Sequence, residues 1–405
     1  MMIGPGILEG IRVLDLTRVV AGPSCTRVLA DLGAEVWKVE PPEGDLLRTG
    51  APRRGGIAVL FSGQNAGKRF LAVDLTKDEG VELLLQLAER CDVMVENFRP
   101  GVAARLGVGY EQVVERNPSV VYCSVSGYGQ DGRAARRRAY APVVHAEVGL
   151  LHYKARERDH DPIPEPVSHA DIAAGMSAAQ GVLAALFRRE RTGEGAWVDA
   201  SMCEAMMACN EWTEVEANGG PDYDHTPFRP GKAPVVQLGD DAGTWVAIPG
   251  SPAAVLPHCL RLWGRTELLE DERFATLEAR ARHLDDCLHL VADFARTFDS
   301  FDEFEHALSE GARLPVGRLL SMEDTLHADW AIDRHAYIDV PSGVDGTVTV
   351  HRSALRISGV DCGPRSGVKH LGADNREVLC SVLGLGDADI DRLQRDGVLI
   401  EEPAP

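Results

Sequence analysis

His169-Ala170-Asp171 stands directly before a run in which Ile172, Met176, Ala179, Leu183, Leu186 and Phe187 recur at helical spacing. A carboxylate there faces the free N–H groups and positive dipole end of the helix that follows, and both favour its ionised form. The plain alternative is that Asp171 only caps the helix, as aspartate in such a place ordinarily does. Upstream, Arg133, Arg136, Arg137 and Arg138 crowd together, with Tyr140 and His145 just beyond. The 405-residue chain has 42 Lys plus Arg against 62 Asp plus Glu, a formal net charge of -20. So acidic a protein is not expected to hold nucleic acid or an anionic membrane through its overall field. A bound anion would need a local basic patch. The arginine cluster is one candidate, and a solvated surface loop is its other reading.

Several familiar chemistries lack their motifs. Gly63-Gln64-Asn65-Ala66-Gly67-Lys68-Arg69 is one residue short of a phosphate loop and has Arg where a magnesium-binding Ser or Thr should stand. No G-x-G-x-x-G follows the first strand, no G-x-S-x-G elbow occurs, and no histidine pair has zinc-helix spacing. The nine cysteines are scattered without a C-x-x-C pair, so reduced, cytoplasmic thiols are expected and neither a disulfide framework nor a metal site. No basic region precedes an apolar run at the N-terminus, and nowhere do 18 uncharged apolar residues follow one another. Neither a secretory leader nor a membrane span is expected.

The elements that must position these groups alternate in kind. Ile11–Leu16 reads as a strand, Pro23–Leu32 as a helix ended by Gly33, and Glu35–Val39 as a second strand. Further strands are expected at Phe70–Asp74, Val93–Glu96, Val120–Ser124 and Trp197–Ala200, with a helix at Asp78–Glu89. This rhythm predicts a parallel, doubly wound α/β sheet whose ligand sits at the carboxyl ends of its strands. Residues 1–217 are assigned to this large Rossmann-like domain. The Gly- and Pro-rich stretch 218–231 is read as a linker, 232–330 as a smaller α+β domain, and 331–405 as a return segment completing the large domain.

Ordered blocks along nearly the whole chain resemble the class III CoA-transferases, the family of formyl-CoA transferase, carnitine CoA-transferase and α-methylacyl-CoA racemase. They include Leu8-Glu9-Gly10-Ile11-Arg12-Val13-Leu14-Asp15-Leu16-Thr17-Arg18 with Ala21-Gly22-Pro23, and Asp31-Leu32-Gly33-Ala34-Glu35-Val36. Val95-Glu96-Asn97-Phe98-Arg99-Pro100-Gly101, Ser124-Val125-Ser126-Gly127-Tyr128-Gly129 and His169-Ala170-Asp171-Ile172-Ala173-Ala174-Gly175 continue the match. The resemblance implies an interlocked homodimer of two-domain subunits. It implies that Asp171 is the nucleophile, forming a mixed anhydride with the acyl group and then an aspartyl-CoA thioester that an acceptor carboxylic acid takes over. Positions matching the family's CoA contacts are Val20, Ala21, Lys68, Asn97, Phe98, Arg105 and Arg138. Tyr140, His145 and His169 match positions in or beside the substrate pocket.

Two departures keep other readings open. The histidine-aspartate pair of the racemase branch would fall on Ala139 and Tyr140, which disfavours an α-methylacyl-CoA racemase unless His145 substitutes. The glycine run that formyl-CoA transferase carries in its small domain is missing from Val235–Gly243, which puts oxalate specificity in doubt and leaves a non-catalytic CoA-binding protein as a further alternative.

Overall fold

The computed structural model describes residues 6–219 and 230–402. Among these, one compact unit comprises the residues up to Val148, Glu165–Glu211 and those from Asp329 onward, and a second comprises Gly149–Pro164 and Trp212–Ala328.

The first unit is built on a six-stranded sheet of β1 (Arg12–Asp15), β2 (Glu35–Glu40), β3 (Arg69–Ala72), β4 (Val93–Glu96), β5 (Val121–Ser126) and β6 (Ala196–Ser201). Every pairing is parallel, and the spatial order is β3-β2-β1-β4-β5-β6. Strands β4 and β5 are buried at every residue. Burial on both faces is what covering helices impose on a parallel sheet, and it explains why these segments read as continuous apolar runs rather than alternating ones.

Four helices bear on the site: α1 (Ala21–Asp31), α2 (Asp78–Ala88), α3 (Ala141–Glu147) and α4 (His169–Thr192). The longest, α4, stops where its sequence says it should. Gly193 takes the left-handed conformation at φ +73°, with Arg189 and Arg191 in the last turn against the negative dipole end. Although α4 is long and apolar enough to cross a membrane by composition alone, its buried face belongs to the core of this unit.

The C-terminal segment completes the same unit. Asp374 and Asn375 accept the Phe70 and Ala72 N–H groups of β3 at 2.8 and 3.0 Å, so this strand does not end the sheet with bare donors. Ile390, Leu393, Val398 and Leu399 pack into the cluster around Leu14, Trp37 and Leu84.

The second unit carries a three-stranded antiparallel sheet of Val235–Gln237, Trp245–Ala247 and Gly317–Arg318. The helices Pro252–Trp263, Leu284–Ala295 and Phe301–Ala312 pack with it around Val246, Leu256, Val291 and Phe294. Two stretches differ from the expected assignment: residues 212–217 and the helix Leu150–Arg158 both fall in this unit rather than in the large domain. Helix Leu150–Arg158, assigned from sequence to the large domain, belongs here: Arg156 forms a bidentate pair with Glu216 at 2.6 and 2.7 Å, and Tyr153 stacks on Trp212. The contacts that decide this lie some sixty residues apart in sequence, out of reach of local periodicity. The linker expected at 218–231 lies mostly outside the described residues.

Candidate active site

In the strand order β3-β2-β1-β4-β5-β6, the direction of winding reverses between β1 and β4, and a crevice opens outside the carboxyl ends of those two strands. The loop after β1 brings Arg18 and Val19 to it, and the loop after β4 brings Asn97, Phe98, Arg99 and Pro100. These residues line a cavity of about 300 Å³ together with Ala21, Ser126, Gly127, Arg137, Arg138, Tyr140 and Asp171.

Asp171 is the acidic group on this cavity, only 8% exposed. Ser168 is the N-cap of α4 and Asp171 its third residue, so the simple capping role is replaced by a more central one. Burial pushes the carboxyl up to about 6, while the backbone N–H groups of Ala141, Ala21 and Asp171 itself favour the ionised form. Ala21 and Ala141 are the first residues of α1 and α3, so three helix N-termini converge on one carboxylate. Gly175, one turn further along α4, makes this approach possible. A Cβ there would lie 2.6 Å from the Ala21 carbonyl oxygen and 2.7 Å from Ser24 Cβ. The dipoles and amides make an anion tolerable in a place where burial alone would protonate it.

The basic patch demanded by the acidic composition is present, made partly of residues other than those expected. Arg18, Arg99, Arg137 and Arg138 line the cavity. The Arg18 guanidinium lies 5.6 Å from the Phe98 ring, and Arg137 lies 4.9 Å from the Tyr128 ring while pairing with Glu147. Arg138, Ala21, Asn97, Phe98 and Tyr140 thus come together with Asp171 as drawn from the sequence, and Tyr140 is exposed at the N-cap of α3.

Other expected contacts fall elsewhere. Lys68 is buried, its ammonium bonded to Asp15 at 3.0 Å, Thr26 at 2.8 Å, Asn65 at 2.8 Å and the Pro23 carbonyl at 3.2 Å. An ammonium desolvated among four acceptors holds the core together and does not present charge to a phosphate, which corrects the CoA contact expected of Lys68. Arg105 is exposed at the end of the helical turn Val102–Arg105 and Val20 is the N-cap of α1, but neither is among the residues lining the cavity. Asn97 is turned on the protein itself. Its amide oxygen accepts the Arg18 N–H and its amide nitrogen donates to the Arg18 carbonyl, both at 2.8 Å.

The two histidines are neighbours, with ring centroids 6.1 Å apart, but their surroundings differ. His169 is exposed, 3.7 Å from Glu165. His145 is wholly buried, and its Nε2 accepts the Ala170 N–H at 3.1 Å. An imidazole so placed satisfies a free amide of α4 from outside the helix. It is not among the residues that line the cavity.

Sequence reasoning did not single out Arg18, Arg99, Gly175 or the buried Glu96. Glu96 is pushed up to about 7 by burial, while the Ser124 hydroxyl and the Phe98 N–H, donated at 2.7 Å, hold it lower. Its place at the end of β4 fixes the turn that carries Asn97 and Phe98. A carboxylate ending a fully buried strand was the available signal.

Comparison with known proteins points one way. The sequence profile of CoA-transferase family III matches residues 8–375. The mouse succinyl-CoA:glutarate CoA-transferase is 31% identical over 97% of this chain and 90% of its own length. The Streptomyces coelicolor formyl-CoA:oxalate CoA-transferase is 32% identical over 97% of this chain and 99% of its own. Among solved structures, a CAIB/BAIF family protein from Brucella suis superposes with a TM-score of 0.78 at 29% identity, covering 93% of this chain and 100% of that one.

Proposed function

Because the chain belongs to CoA-transferase family III and is a CoA-transferase, we propose that it moves CoA between an acyl-CoA and a carboxylic acid through covalent intermediates on Asp171. The observation that carries this reading is a buried carboxylate on a cavity, met by three helix N-termini and rimmed by four arginines.

One carboxylate oxygen of Asp171 attacks the thioester carbonyl carbon, the C–S bond breaks, and CoA thiolate leaves behind a mixed anhydride. The thiolate then attacks the aspartyl carbonyl carbon, the anhydride C–O bond breaks, and the donor acid departs as carboxylate. The acceptor carboxylate attacks the resulting aspartyl thioester and frees the thiolate again. Finally the thiolate takes the new acyl group, and Asp171 is restored. No proton is gained or lost. Each step passes through an oxyanion, for which the Ala21 and Ala141 N–H groups are suitable preorganised donors. The arginines would meet the phosphates of CoA, and Phe98 offers a flat apolar face. The test is to incubate the protein with acyl-CoAs and a mixture of carboxylic acids and read new CoA esters by mass spectrometry. CoA bound without turnover on any acid would support the non-catalytic alternative instead.

The nucleophile must be ionised, so kcat/KM is expected to rise with pH through about 6 and then level off. Stability runs the other way. The folded pKa lies above the unfolded one, so the carboxyl's contribution is fully present below about 3.8 and is lost as pH climbs to about 6. Asp171→Asn is accordingly expected to be more stable than the wild type at pH 8, by on the order of 2 to 3 kcal/mol, with the gap closing near pH 4. Urea unfolding at the two pH values checks this, and a gap independent of pH would refute it.

A homodimer, interlocked as the family resemblance implies, is part of the same proposal. It is supported by Met176 and Phe187 of α4, which are 56% and 66% exposed. Light scattering after size exclusion should give twice the 43.8 kDa of one chain, and a monomer at micromolar concentration would count against it.

A further inference from the structure

The turn from β1 into α1 is restrained beyond what a connection needs. Val19 has φ +66°, in the left-handed region that a β-branched residue enters only under strain. The backbone around it is gripped by side chains from three other segments. Asn97, after β4, bridges the Arg18 N–H and carbonyl, both at 2.8 Å. Asp45, after β2, accepts the Val19 N–H at 3.1 and 3.3 Å. Lys38, within β2, donates to the Thr17 carbonyl at 2.8 Å and forms an ion pair with Asp45 at 3.3 Å. Lys38 and Asp45 are both buried, and Glu40 steadies Asp45 by accepting its N–H at 2.9 Å.

A buried ion pair is a poor way to gain stability, because apolar residues of similar volume commonly do as well or better. Used to hold a strained backbone, it makes sense as a device of position. What it positions lies two residues on. The Val19 dihedrals set the direction in which the chain enters α1, and Val19 and Ala21, the first residue of that helix, line the same cavity as Asp171, whose ionised form the Ala21 N–H favours. Gly175 leaves no slack on the other side, with the Ala21 carbonyl 2.6 Å from where its Cβ would be.

We propose that Asp45 is a positioning residue for the reaction: by taking the Val19 N–H, it holds the left-handed turn that aims the first amide of α1 at the Asp171 carboxylate. The role in catalysis rests on Asp171 being the nucleophile, whereas the geometry does not.

Asp45→Ala is expected to lower kcat by about 10- to 100-fold with KM changed by less than about threefold, because a displaced amide is felt mainly in the transition state. In the ligand-free protein, the Asp171 carboxyl followed by carbon-13 NMR should titrate about one unit higher than in the wild type, since one N–H that stabilises the anion is lost. Adding Val19→Gly to Asp45→Ala should recover at least about fivefold of the lost kcat, because glycine takes φ +66° without strain. Asp45→Asn keeps an acceptor oxygen and should stay nearer the wild type than the alanine variant. A folded Asp45→Ala with unchanged kcat and unchanged Asp171 titration would overturn the proposal, as would a double variant no better than the single one. If Asp45→Ala fails to fold around the unpaired Lys38, Asn97→Ala loosens the same turn without touching the ion pair. Its Asp171 titration then decides, upward in support and unmoved against. The titration needs no substrate, so if no acyl-CoA is turned over, the transferase reading fails while the positioning claim is still judged.

Discussion

Replacing Asp171 with alanine is expected to reduce CoA exchange by about 10³-fold or more, because the covalent route disappears with its nucleophile. Among the residues lining the cavity there is no second carboxylate to take over. The arginines are cationic at any working pH and do not attack a thioester. Asp171→Asn keeps the shape and the amide contacts but has no nucleophilic oxygen, and it should be as inactive as alanine. Asp171→Glu retains the group but shifts it by one methylene, for which a loss of about 10²-fold is expected from misplacement alone. Hydroxylamine added to the wild type with acyl-CoA should leave a hydroxamate on residue 171, found by peptide mass spectrometry, because it intercepts either the anhydride or the thioester. Exchange that persists in the alanine variant, or a hydroxamate on another residue, would sink the mechanism.

Lys68→Met is expected to destabilise the protein by about 3–5 kcal/mol, the effect of removing one partner from a buried ion pair. Asp15 would be left buried with an unbalanced charge, because the ammonium 3.0 Å away and its coulombic pull are gone. Lys38 also acts on Asp15, and the Thr17 and Thr26 hydroxyls bond to it, so the loss is partial. Burial already pulls the Lys68 ammonium down to about 8, so a neighbour that favours the charged form is essential to it. Adding Asp15→Asn should restore part of the stability, since a neutral amide leaves no orphaned charge. Urea unfolding of the two single variants and the double measures the coupling. The KM for CoA of the folded fraction should stay within about twofold of the wild type, because Lys68 points into the core. A normal fold with a greatly raised KM would return Lys68 to the ligand.

Much of the first unit was legible because its signals are local. Val93–Glu96 is a strand with the same bounds in sequence and structure, since a short apolar run between a helix and a turn has few alternatives when both faces are buried. The end of α4 is likewise set by local residues, Arg189 and Arg191 in the last turn and Gly193 in the left-handed conformation. Helix Leu150–Arg158 falls in the second unit rather than in the large domain because its packing partners, Trp212 and Glu216, lie far along the chain. Lys68 was misread for a related reason. Its type suits a phosphate, and only the arrival of Asp15, Thr26 and Asn65 around its ammonium turns it into a core residue.

The sequence by itself determined the alternation of elements, the acidic character with its need for a local cation cluster, and the aspartate at the head of the long apolar helix. These follow from period, charge and capping preferences that act over a few residues. Only the tertiary structure decided what that aspartate experiences. Ala21 and Ala141 lie 150 and 30 residues before it, and Arg18, Arg99, Arg137 and Arg138 come from three separate loops. A carboxylate is raised by burial, restrained by amides and surrounded by cations only when the strand order brings those segments to one crevice, and no neighbour in the chain can supply that environment.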